Sequence, residues 1–144
     1  MRLTPSQLIP HTGSICLLEQ IASWDQQQVV CSTFTHRSLK NPLRSSGQLS
    51  AIHAIEYGAQ AVAVHGGLLA HARGEAIQPG CLAALRQIKL HQSRLDEIES
   101  ALTVEATQLL CDAGNLIYSF AVKAADQPIA DGRVVVVVQS EVST

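Results

Sequence analysis

The longest uniform pattern in this chain is an apolar stretch with very little charge: Ala54-Ile55-Glu56-Tyr57-Gly58-Ala59-Gln60-Ala61-Val62-Ala63-Val64-His65-Gly66-Gly67-Leu68. Apolar residues fall on every side of its helical wheel, which predicts a helix buried on most faces. The helix is expected from about Leu49 to Ala72, with Arg73-Gly74 as its stop. Upstream, Thr4-Pro5-Ser6-Gln7-Leu8-Ile9 reads as a short capped turn of helix. Ile15 to Ser23 and Val29 to Thr35 read as strands joined by an Asp25-Gln26-Gln27 turn. Arg37 to Gln48, broken by Asn41-Pro42 and Ser45-Ser46-Gly47, reads as loop.

Beyond the helix the rhythm changes to that of strands. Leu82 to His91, Ala101 to Leu110, Leu116 to Val122 and Arg133 to Val138 carry β character. Asp112-Ala113-Gly114-Asn115 and Asp126-Gln127-Pro128 mark turns, and Asp131-Gly132 reads as a turn or bulge opening the last strand. The run Val134 to Val138 is what a strand buried on both faces looks like. One long helix between a hairpin and four strands is hidden most economically by one antiparallel sheet curled around it. That α+β arrangement is the hotdog fold, and its open edge strand invites pairing across a dimer.

The 144 residues suit one domain, 1–144, with a real core. A net charge of −2 and 3% aromatic content give no basis for binding nucleic acid or a membrane surface. The start, Met1-Arg2-Leu3-Thr4-Pro5, has no signal core and no run is long enough to span a bilayer, so a soluble cytoplasmic protein is expected. Cys16, Cys31, Cys81 and Cys111 are scattered without a CxxC and read as core thiols. No metal or cofactor is expected, since His53 and Glu56 alone are half of a metal site.

The lone carboxylate in the apolar helix is the first candidate for chemistry. A buried Glu56 is paired, protonated or useful, and desolvation would raise its pKa toward that of a general acid. A carboxylate that merely caps the helix start is the competing reading.

Ile9-Pro10-His11-Thr12-Gly13 followed by Leu17-Leu18-Glu19, and Glu56-Tyr57-Gly58-Ala59-Gln60, resemble two signatures of the hotdog 3-hydroxyacyl-(acyl carrier protein) dehydratases. The stretch to His65-Gly66-Gly67-Leu68 is most similar to the branch associated with aryl polyene clusters. The resemblance implies elimination of water from a 3-hydroxyacyl thioester, with acyl carrier protein as the substrate's bearer and a dimer as the working unit. It implies that Glu56 is the acid and that a loop His ahead of the helix is the base, the two coming from opposite subunits. Here that loop reads Lys40-Asn41-Pro42-Leu43, with Asn41 in the place of the His. An amide cannot take a proton from carbon, although it can hydrogen-bond a carbonyl or a water.

His36, upstream in the same loop, is the candidate substitute base. His53 lies one helical turn before Glu56 on the same face, where it could tune the carboxylate or touch substrate. His65 and His71 lie too far along the helix to meet Glu56. Gln60 is spaced to orient the Glu56 carboxylate or to satisfy polar atoms across the dimer, and Gly80 would let the backbone approach an acyl chain. Arg37, Lys40, Arg44, Arg73 and Arg86 are the cations that could greet an acidic carrier.

Three readings follow. The first is a dehydratase working as a homodimer or a hotdog heterodimer. The second is a thioesterase in which Glu56 activates water and Asn41 positions the water or the carbonyl. The third is a non-catalytic hotdog subunit that completes an active partner.

Overall fold

The computed structural model describes residues 3–9, 16–78 and 80–138. A short helix α1 (Pro5–Leu8) precedes strands β1 (Gln20–Trp24) and β2 (Gln28–Thr33). Helix α2 (Ala54–Ala72) follows, and then β3 (Gly80–Leu90), β4 (Leu102–Asp112), β5 (Asn115–Ala124) and β6 (Gln127–Val138). The strands make one six-stranded sheet in the order β1-β2-β4-β5-β6-β3, with antiparallel neighbours throughout. The sheet wraps α2, as expected for a hotdog. Among the described residues no helix is long and apolar enough to cross a membrane.

The Pro10-His11 opening and the start of the first expected strand lie outside the described residues. Leu17 and Leu18 are buried but precede β1. Their apolar side chains belong to the core, while the Leu17 backbone is held by side chains: its N–H donates to Gln60 at 2.8 Å and its carbonyl accepts from Thr33 and Thr35. Hydrophobicity therefore located the burial but not the strand.

Helix α2 begins later than Leu49. A 3-10 turn, Ala51–His53, leads into it, and the Ser50 hydroxyl caps that turn by accepting from the Ile52 N–H. Leu49 itself is fully buried, and its N–H is tied to Asp96 at 2.9 Å. The helix stops at Arg73, and Gly74 follows at φ +69°, the left-handed geometry that glycine allows. Gly58 of α2 lies directly against Phe120 of β5. A Cβ on Gly58 would collide with that ring, and one on Gly132 would collide with Ile88 and crowd the same ring.

Gly132 therefore serves packing in mid-strand and opens no turn, because β6 already starts at Gln127. The β5–β6 turn falls at Ala125 and Asp126, both at positive φ as a tight hairpin demands. Pro128 sits within β6 beside a register shift, where a missing N–H is tolerated. The β4–β5 turn at Ala113-Gly114 is as expected. The valine run is buried on one face only. Val134 is fully buried, while Val137 on the outer face is 37% exposed, so these valines reflect strand preference as much as burial.

The cysteines divide as well. Cys31 is in the core, with burial pushing its thiol pKa up to about 12, and Cys16 is half-buried. Cys81 and Cys111 are exposed, one on the edge strand β3 and the other near the β4–β5 hairpin, so the core-thiol expectation fails for them.

Candidate functional site

One side of α2 is not covered by its own sheet. Glu56, Ala59, Ala63, Gly66, Ala70 and Arg73 form a stripe at helical spacing along a groove of about 540 Å³. Glu56 to Arg73 spans about 25 Å at 1.5 Å per residue. Leu82, Leu116, Val134 and Val136 build the apolar wall opposite. The small residues on the helix side keep the channel open where larger side chains would fill it.

Glu56 is exposed at one end of this groove rather than buried in the helix surface. The expectation of a desolvated carboxylate within the single chain is therefore corrected. Its position in the first turn of α2 puts it on the uncovered stripe. Gln60, almost fully buried, accepts from the Leu17 N–H and donates to Glu56 at 3.4 Å. It thus links the carboxylate to the segment before β1. Gly80 also lines the groove, and a Cβ there would press on Val136. The contact that requires glycine here is packing against β6.

The other sequence candidates lie elsewhere. His36 is fully buried in a 3-10 turn, Thr35–Arg37, with its Nε2 on the Ile98 carbonyl at 3.0 Å. Its Nδ1 makes no hydrogen bond of good geometry, although the Ser100 backbone lies near enough to favour the charged ring. Burial outweighs these contacts and pushes the His36 pKa down. It does not line the groove, and neither do Asn41 and His53.

Asn41 is buried and its amide is fully engaged. The Nδ2 donates to the Thr35 carbonyl at 2.9 Å and to the Tyr57 hydroxyl at 3.1 Å, and the Oδ1 accepts from Leu43 at 2.9 Å. Tyr57 in turn hydrogen-bonds Thr35, whose hydroxyl donates to Leu17. His53 is half-buried at the start of α2, and its side chain does not cap the helix. Arg37 and Arg44 are spent on backbone carbonyls of Asp96, Ser38, Gly47 and His36, whereas Arg73 borders the groove.

Sequence reading missed three groups. Gln108 and Tyr118 line the groove, and His65 lies directly behind Tyr118 at 2.5 Å. The only signal was a histidine inside an apolar helix, which needs a partner once buried. Its partner lies on a strand 53 positions away. Among the described residues no histidine lines the groove, and no cluster of three or more His, Cys, Asp or Glu could hold a metal ion.

An apolar channel beside a hotdog helix, with a carboxylate at the helix start, is the setting in which relatives become informative. The sequence model of the ApeP-like family, described as ApeP dehydratase, matches residues 3–144. The chain belongs to the ApeP-like dehydratase family. A comparison with curated proteins gave no match. Among solved structures, the ApeP-like chain is similar to the dehydratase heterocomplex ApeI:P from Xenorhabdus doucetiae. The TM-score is 0.88 at 23% identity, over 98% of this chain and 94% of that one. A hypothetical thioesterase with coenzyme A from Streptococcus pneumoniae is similar at TM-score 0.62 and 12% identity, over 84% of this chain and 85% of that one. AziG from S. sahachiroi gives 0.57 and 15%, over 83% and 89%. At these identities the likeness to solved structures concerns the hotdog fold, and the family match concerns the whole ApeP-like chain.

Proposed function

We propose that this protein is a subunit of a 3-hydroxyacyl thioester dehydratase, acting on an acyl chain borne by acyl carrier protein and sharing its site with a second hotdog chain. The observation that carries this reading is the groove, which is apolar, open along one side, headed by Glu56 and without a histidine among its described lining residues. Membership of a dehydratase family supports the reaction class. The heterocomplex formed by ApeI:P is the precedent for two unlike chains.

In the reaction a base removes the proton α to the thioester carbonyl. Its electrons form the new double bond as the C3–oxygen bond breaks, and an acid protonates the departing hydroxyl to give water and the trans-2-enoyl thioester. Glu56 is the proposed acid. A second subunit packed over this end of the groove would close Glu56 off from solvent. The N-terminus of α2 adds a favourable field for negative charge developing on the thioester oxygen.

The base is assigned to the second chain. His36 is sealed beneath Ile98, and Asn41 is an amide already committed to Thr35, Tyr57 and Leu43. The edge strand β3, exposed along most of its length, offers backbone for pairing with that chain.

Mass spectrometry of a 3-hydroxyacyl carrier protein tests this, using the purified chain alone, the chain with its copurifying hotdog partner, and the Glu56→Ala variant of that complex. Loss of one water in the complex, abolished by the variant, is the expected result. Dehydration by the chain alone would move the base back into this subunit. Release of free acid would make the protein a thioesterase, and an intact substrate in the complex would remove the dehydratase assignment.

A further inference from the structure

Part-way along the groove the apolar wall gives way to Tyr118 and Gln108, and the donors and acceptors there can be assigned one by one. The His65 Nε2 lies 2.9 Å from the Asp25 carbonyl, which can only accept, so Nε2 carries the hydrogen. The ring is fully buried and burial holds it neutral, so Nδ1 is an acceptor. The Tyr118 hydroxyl, 2.5 Å away, therefore donates to Nδ1. Its oxygen is left with acceptor capacity alone, and Gln108 turns its amide N–H toward it at 3.3 Å.

This chain of bonds fixes the orientation of Gln108. Its Oε1, on a half-buried side chain that lines the groove, has no protein partner among the described residues. The wall at this depth thus presents the Gln108 Oε1 as an acceptor beside the second Gln108 N–H, backed by a fully buried histidine that keeps the amide from turning over. Gln26 also borders the groove, but it is exposed on the β1–β2 turn and nothing fixes its amide.

We infer that Gln108, oriented by Tyr118 and His65, is a specificity-determining group of the groove that favours an acyl chain bearing an O–H or N–H donor in its far segment over a saturated chain of equal length. The inference rests on the proposed function, with the thioester end lying at Glu56. His65 lies nine positions beyond Glu56 on α2, which sets the polar level about 13 Å along the helix from the reacting end. Hydrocarbon that stops short gains from the apolar wall alone. Hydrocarbon that reaches the level strips water from the half-buried Gln108 amide and returns no hydrogen bond. A donor placed there replaces the water, so the same residues register both length and terminal group.

The test is displacement binding to the protein with its copurifying chain, using 3-hydroxyacyl pantetheine thioesters of graded length. At each length the tail ends in a methyl, a primary hydroxyl or the methyl ether of that hydroxyl. Short chains are expected to bind alike. At the length that reaches Gln108, the hydroxyl tail is expected to bind about tenfold more tightly than the methyl tail, the scale of one good hydrogen bond, and the ether, which cannot donate to Oε1, is expected to bind more weakly than the hydroxyl. Gln108→Met should abolish the preference, and a cooperative urea transition reports that the variant is folded. A hydroxyl preference absent at every length, or one that survives in Gln108→Met, overturns the inference alone. Failure of every thioester to bind overturns the proposed function and this inference with it.

Discussion

Adjacent residues at the start of α2 face two different polar regions. Tyr57 points into a closed knot in which Asn41, Thr35, Thr33 and the Leu17 backbone satisfy one another without the groove. Glu56 points into the open groove, where its sole described side-chain hydrogen bond is the long one from Gln60. The knot has little polar capacity left for a substrate, and its tyrosine holds its proton because burial raises the Tyr57 pKa. In the groove the Glu56 carboxylate and the Gln108 Oε1 remain open to a substrate. Polar residues buried in pairs and triplets here build the loop ahead of the helix, while those left open are the ones available to chemistry.

The comparison breaks most visibly at Asn41. Asn41→Asp keeps the shape but sets a carboxylate oxygen against the Thr35 carbonyl and withdraws the donor from Tyr57. Urea unfolding should show a loss of about 2–4 kcal/mol, because a buried charge is left facing an acceptor. An unchanged urea midpoint would mean that the knot is not what holds the loop. Tyr57→Phe is milder. It leaves one Asn41 N–H and the Thr35 hydroxyl short of a partner, and about 1–2 kcal/mol should be lost.

Glu56→Gln sharpens the other side. The carboxylate is exposed and its bond to Gln60 is long, so stability should stay within about 0.5 kcal/mol of the parent. Dehydration by the complex should fall by about 100-fold or more, since a positioned acid contributes on that scale. If unfolding and activity fell together, Glu56 would belong with Tyr57 as a structural group.

How much of this was legible in the chain follows from the range of the interactions. The long helix, the sheet strands, the β4–β5 turn and the fold were readable because apolar period and turn chemistry are local properties. The placement of Glu56 at a groove end was readable only in part. Periodicity located it on the helix, but which stripe the sheet leaves bare depends on how Gly58 seats against Phe120 across the core. Asn41 illustrates the same limit. The loop motif set it where a base would stand, while its partners Thr35 and Tyr57 are hidden by the intervening fold. The His65–Tyr118 pair was illegible for the same reason, since nothing local in β5 announces a histidine behind it.

The smallest expected effect is a dependence on pH that separates the buried histidines from the open carboxylate. Burial lowers the pKa of both His36 and His65 below the ordinary 6.5, against the pull of Asp25 on His65 and with the help of Arg37 and Arg44 on His36. In the unfolded chain both rings protonate near pH 6.5, so below that pH the unfolded state binds more protons than the native one. Their contribution is thus complete above pH 6.5 and is lost as the pH falls toward the lowered native values. The urea midpoint should drop between about pH 7.5 and pH 5.5, the region where an unperturbed histidine titrates. His65→Gln separates the two sites, because a glutamine amide can accept from Tyr118 and donate to the Asp25 carbonyl without titrating. That variant should keep part of the pH 7.5 stability and show a shallower decline. A decline as steep as the parent's would place the titration at His36 alone, and would mean that the Asp25–His65–Tyr118 chain tolerates a proton on Nδ1.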